Sequence, residues 1–197
     1  MLFRSGGPAA TAGAALLGGV LLWEVTVRGQ MGVTISFLEE MWSRNLGHVF
    51  VSPLRPWENI AALFGMSLFR LACGVLPAMG IAWALYAFNV FALGAPLALF
   101  FANLLVMGWA VALGVVAILL RHGAGAEPLA WGVLFGMTPF SAVFYPVSVL
   151  PAPMRIVSLA LPSTHVFEGM RAVLLDGAVP WSEMAWASAL NVAWVAG

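Results

Sequence analysis

The amino-acid sequence predicts an all-α fold: a polytopic helical membrane protein with about five transmembrane helices, an amphipathic helix between the first two, and a re-entrant helical hairpin before the last. Three observations carry this. The chain has 197 residues, is 62% hydrophobic and only 8% charged, and has a mean hydropathy of +0.99; a soluble domain has about 25% charged residues. Five stretches, 8–23, 60–88, 91–120, 128–150 and 181–197, are long and nearly free of charge, and about 20 apolar residues suffice to cross a bilayer's hydrocarbon. A single polar block, 36–58, reads SFLEEMWSRNLGHVFVSPLRPWE and gathers five of the sixteen charged residues. The apolar runs are continuous and do not alternate in segments of about ten, which excludes an outer-membrane barrel.

The first span is expected over 8–35, with Glu24 and Arg28 one turn apart on one face and able to pair. A lone charge at mid-bilayer costs about 2.5–3.5 kcal/mol, so such a pair belongs near the interface or against other helices. Gly29 and Gly32 are expected to loosen the chain before a helix over 36–52. At 100° per residue, Phe37, Leu38, Met41, Trp42, Leu46, Val49 and Phe50 share one arc of that helix. Glu39, Glu40, Ser43, Arg44 and Gly47 share the other, with His48 the one polar exception. Glu40 precedes Arg44 in the favourable i,i+4 order. Pro53 and Pro56 end the helix.

The second span is expected over 57–88, with Pro56 in its first turn, Glu58 near the positive end of its dipole, and Arg70 about 15 Å in. That arginine either snorkels or pairs within the bundle, or lines a path. A short turn at 89–96 leads to a span over 92–120, ending at Arg121-His122-Gly123. The next, over 126–148, carries the small-residue spacing Gly132-x-x-x-Gly136 and an expected kink at Pro139. Pro151, Pro153 and Pro162 cut 151–176 into two helices too short to cross, as in a re-entrant hairpin. His165, Glu168 and Arg171 follow at i,i+3 steps and are expected to pair along one face. The last span, 180–197, is at the lower length limit.

Several function classes fall away on composition. All eight basic residues are arginine, so no P-loop lysine exists and the chain has no ATP site of its own. Net charge is zero, which argues against nucleic acid as a partner. The lone cysteine, Cys73, excludes an intrachain disulfide and a cysteine metal cluster. His48, His122 and His165 lie on separate segments without metal-ligand spacing, so no metal site is expected. Ser67, Ser141 and Ser188 lack the setting of a nucleophilic serine. A charge ring or carbonyl filter of the kind channels use is also missing. A transport or assembly subunit driven from outside remains; the alternative is a non-transporting scaffold or assembly factor that docks a cytosolic partner.

Two segments resemble the ABC-2 type transporter permeases, the membrane subunits of bacterial ABC exporters. Phe37-Leu38-Glu39-Glu40-Met41-Trp42-Ser43-Arg44, continuing to Val51-Ser52-Pro53-Leu54, is similar to that family's cytoplasmic coupling helix. Tyr145-Pro146-Val147-Ser148-x-Leu150-Pro151 and Leu161-Pro162-Ser163-Thr164-His165-x-x-Glu168-Gly169-x-Arg171 are similar to its external re-entrant helices. The resemblance covers 8–197 and implies a fold of six spans, of which this chain would hold the second to the sixth. The N-terminal amphipathic helix and first span would be missing and the last span short, as in a fragment. It implies multi-pass insertion in the bacterial inner membrane, 28–57 being cytoplasmic. The partners it implies are a separate ATP-binding cassette ATPase subunit, which would hold ATP and Mg, and a second permease copy, with lipid around both. The coupling residues would be Glu39, Glu40, Met41, Trp42, Arg44, Leu46 and Phe50. An external gate would be formed by His165, Glu168 and Arg171, and Arg70 would be the intramembrane charge.

Overall fold

A computed structural model describes residues 8–53, 55–86, 94, 96–177 and 180–196. The expected turn at 89–96 falls outside them apart from Gly94 and Pro96, as do Leu54 and the side chain of Phe50. The described residues form helices and turns, with no strand among them.

The first helix, α1 (Pro8–Trp42), runs unbroken for 35 residues, so the expected boundary between span and amphipathic helix at 35/36 is absent. Gly29 and Gly32 do not loosen it. A Cβ built on Gly32 would fall 2.8 Å from the Ser67 Cα, so this glycine serves close approach of a neighbouring helix. The break comes later. Arg44 adopts a left-handed φ of 55°, the Arg44 N–H donates to the Met41 carbonyl, and the Asn45 N–H to that of Glu40. This is the hydrogen-bond pattern of a left-handed helix cap. Instead of one helix over 36–52, a turn at 43–45 precedes the six-residue α2 (Leu46–Val51). The Asn45 side chain reinforces the stop by donating to Glu40 Oε2 at 2.6 Å.

Prolines set most later boundaries: α3 (Pro56–Tyr86), α4 (Pro96–His122), α5 (Pro128–Met137) and α7 (Pro162–Asp176) each start on one. The helix found in 126–148 is only the ten residues of α5, about 15 Å long. Thr138–Phe140 tightens to a 3-10 turn at Pro139, where a mere kink was expected. There the Thr138 and Ser141 hydroxyls donate back to the Leu134 and Met137 carbonyls. The two short helices expected over 151–176 are α6 (Ala152–Leu159) and α7, the latter ended by Gly177 at φ 71°. The chain closes with α8 (Trp181–Ala196).

Two helices, Pro56–Leu85 and Pro96–His122, are long and apolar enough to cross a membrane. Only 22% of the most apolar stretch of α3 is buried, and Phe69, Leu76, Ile81, Trp83 and Leu85 are exposed along it. A core helix of a soluble protein would hide such residues.

The central helix is α1, flanked by α3, α4 and α7. One core cluster joins Leu22 and Trp23 of α1 to Leu71 of α3, Phe100 and Leu104 of α4, and Phe167 and Met170 of α7. A second cluster, near the end of α1, packs Phe37 and Leu38 against Val115, Val116 and Leu119 of α4 and Ala130 of α5. Each buried Leu or Phe contributes about 1.5–3 kcal/mol relative to exposure in water.

Candidate functional site

The polar block distributes its residues in a way the helical arc did not foretell. Phe37 and Leu38 are buried, and Met41 and Leu46 pack against the same cluster. Of the expected apolar docking face, Trp42 is left bare, 53% exposed, beside exposed Ser43, Arg44, Gly47, His48 and Val51. Glu40 bonds Asn45, and Arg44 is exposed on a left-handed backbone past the helix end. No Glu40–Arg44 pair forms, because a regular helix is needed to align i and i+4. Glu39 is committed elsewhere: both its carboxylate oxygens accept from Arg70 Nη2, at 2.9 and 2.8 Å. Arg70 therefore leans back along α3 and pairs with α1, as side chains on a helix lean toward its N-terminus.

The second expected cluster splits in two. Glu168 and Arg171 pair at 3.0 Å, and together they hold the irregular segment after α5. Glu168 Oε1 accepts from the Val147 N–H at 2.8 Å, and Arg171 Nη1 donates to the Ala142 carbonyl at 2.9 Å. Ala142 itself has a left-handed φ of 54° and is fully buried. His165 does not join this pair. Its Nε2 lies 3.0 Å from the Leu159 carbonyl, and its Nδ1 lies 2.6 Å from Glu183 Oε2 on α8. The imidazole thus ties the end of α6 to the start of α8. The i,i+3 spacing permitted contact within α7, but the packing of α8 brings the Glu183 carboxylate within 2.6 Å of the imidazole.

Other polar contacts were not anticipated. Thr26 Oγ1 donates to the Leu104 carbonyl at 3.2 Å, and Gln30 Nε2 reaches Thr34 Oγ1 and the Ala130 carbonyl. These residues recur every four positions on the face of α1 that meets α4 and α5. Asn191 Nδ2 donates to the Asn103 carbonyl and Oδ1 at 3.0 and 2.9 Å, joining α8 to α4. Ser67 Oγ donates to the Gly29 carbonyl at 2.8 Å, and Trp109 Nε1 to Ser67 Oγ at 3.2 Å. Polar side chains inside apolar stretches were the available signal, since such groups usually bond across helices.

An apolar cavity of about 540 Å³ opens between α1, α3 and α4, lined by Leu22, Val25, Leu71, Val75, Met79 and Phe101 among others. Among the described residues its lining is apolar, without convergent polar groups that could orient a reacting molecule. Among the described residues there is no group of three or more His, Cys, Asp or Glu able to hold a metal ion. No protein-family model matches the chain, and no curated protein matches it.

Proposed function

We propose that the chain is the permease subunit of an ATP-binding cassette exporter in the bacterial inner membrane. It moves an amphipathic substrate (a drug, a lipid or a lipid-linked saccharide), and a separate subunit hydrolyses ATP with Mg. The observation that carries this reading is the continuity of α1 from the helical bundle to Trp42. Phe37 and Leu38 fix it to α4 and α5 while Trp42 stays bare. The likeness of 37–54 to a coupling helix supports the same reading.

A force applied at Trp42 acts on a rigid rod. Its buried end cannot slide independently of α4 and α5, because close-packed side chains transmit displacement. Closure of the ATPase subunits would thus tilt α1 and, through Ser67 and Gly29, α3 with it. A path then opens between two permease copies. Aromatic anchors carry most of the energy of such interfaces, and an exposed Trp42 is the natural one.

Co-purification tests this. The chain should retain an ATPase whose hydrolysis rises with substrate, and Trp42→Ala should weaken that retention about tenfold or more without loss of the permease from the membrane. Retention of a partner without ATPase activity would instead favour a scaffold.

A further inference from the structure

Glu24 and Arg28 sit halfway along the bundle. Gly108, near the middle of α4, abuts the same stretch of α1: a Cβ on it would lie 2.8 Å from the Thr26 carbonyl oxygen and 3.2 Å from the Gln30 nitrogen. Gly74, deep within α3, leaves the notch in which the Arg28 guanidinium rests. The two neighbouring helices are those long and apolar enough to cross a membrane; in a membrane this puts the pair within the hydrocarbon, and not at the cytoplasmic boundary at 28 that the family likeness implied. Even so, the Arg28 and Glu24 side chains are 42% and 36% exposed.

The pair is also incomplete. Arg28 Nε lies 2.8 Å from Glu24 Oε2, yet this buried nitrogen makes no hydrogen bond, since its N–H is not aimed at the carboxylate. Around it the surface is apolar: Leu16 and Val20, eight and four positions before Glu24 on the same stripe, are 47% and 44% exposed. Hydrocarbon is a poor neighbour for two half-bare charges, and intramembrane charges face protein or water.

We propose that this face docks a second copy of the chain, with Glu24 of each copy meeting Arg28 of the other. Charge complementarity selects that occupant. The face carries one acid and one base, so it is complementary to itself, as a two-fold interface requires. Copies inserted in the same direction are related by an axis along the membrane normal, which sets their α1 helices parallel with equal residues at equal depth. Glu24 and Arg28 then differ in height by about 6 Å, an offset an arginine leaning toward its helix N-terminus spans. Leu16 and Val20 close the apolar part of the contact. The inference rests on the permease reading and adds to it the surface through which two copies meet.

The test uses two differently tagged full chains expressed together and captured from solubilised membranes. Glu24→Arg makes both positions positive, and Arg28→Glu makes both negative; neither variant retains a pair within its own chain. Each variant should capture its own kind about tenfold less than wild type captures wild type, through like-charge repulsion. A Glu24→Arg copy should capture an Arg28→Glu copy at the wild-type level. The chain carrying both exchanges keeps an internal pair and should capture itself. Equal capture in every combination, or none between the opposite variants while the doubly exchanged chain accumulates normally, overturns the proposal. A chain that alkaline washing strips from membranes overturns the membrane reading itself and the docking face with it. A chain that stays in the membrane but never captures a second copy overturns only the face.

Discussion

Ser67 meets Gly32 so closely that a methyl group has no room between them: a Cβ on Gly32 would lie 2.8 Å from both the Ser67 Cα and its Oγ. The Ser67 hydroxyl then turns to the Gly29 carbonyl and receives the Trp109 indole N–H. One contact thus ties α1, α3 and α4 at a single level, and stacking of Phe64 on Trp109, ring centroids 4.2 Å apart, extends it.

Gly32→Ala should therefore destabilise the bundle. The helix gains up to about 1 kcal/mol from replacing glycine, but the clash is with backbone, and forced overpacking costs about 1–3 kcal/mol. Gly132→Ala and Gly136→Ala are the controls, because nothing lies within 4 Å of a Cβ at either. Thermal unfolding in detergent should show Gly32→Ala below wild type and the two controls at or above it. A Gly32→Ala midpoint equal to that of the controls would remove the contact from the account.

Arg44 is held at φ 55° where a glycine is the usual occupant. Arg44→Gly relieves that backbone and should raise stability by about 1 kcal/mol. The same substitution deletes a charge on the face proposed to meet the ATPase. A higher unfolding midpoint together with weaker ATPase retention is the expected result. A higher midpoint with unchanged retention would assign Arg44 to the turn alone.

Glu168 and Arg171 brace the segment between α5 and α6 through the Val147 N–H and the Ala142 carbonyl. Glu168→Ala leaves the amide and the guanidinium without that partner, at a cost of about 1–3 kcal/mol. Hydrogen exchange at 141–149 should accelerate in this variant and in Arg171→Ala, and the double variant should cost less than the two combined. A pair acting as a gate would change transport and leave exchange at 141–149 untouched.

How much of this was legible in the sequence follows from what each residue can decide locally. Pro128, Pro151 and Pro162 mark their boundaries because a missing N–H acts wherever the chain goes. The turn at Arg44 gave no such sign, since its capping hydrogen bonds could not be read from an arginine. Glu40 and Arg44 matched a helical pairing rule that assumed the helix continued. His165 found Glu183, eighteen residues away, because only the docking of α8 brings that carboxylate within 2.6 Å. Asn103 and Asn191 are 88 residues apart, and no periodicity connects them. Membrane-like composition was plain throughout, and α3 and α4 carry it in the structure.

Arg70 offers the sharpest separation of roles. Its guanidinium donates through Nη2 to both oxygens of Glu39, and the two side chains are 27% and 53% exposed. Exposure of that order limits the pair to about 1 kcal/mol if water surrounds it. If lipid surrounds it, breaking the pair strands a charge, and the cost rises toward about 2.5–3.5 kcal/mol. Glu39→Gln and Arg70→Gln measure this difference in detergent and in bilayers. The exchange of both, Glu39→Arg with Arg70→Glu, should recover most of the loss if the pair joins α1 to α3. It should not recover ATPase-coupled transport if Glu39 also touches the ATPase, because the charge presented there is reversed. Recovery of stability and transport together confines Glu39 to the bundle; recovery of neither shows that both residues bind something beyond each other.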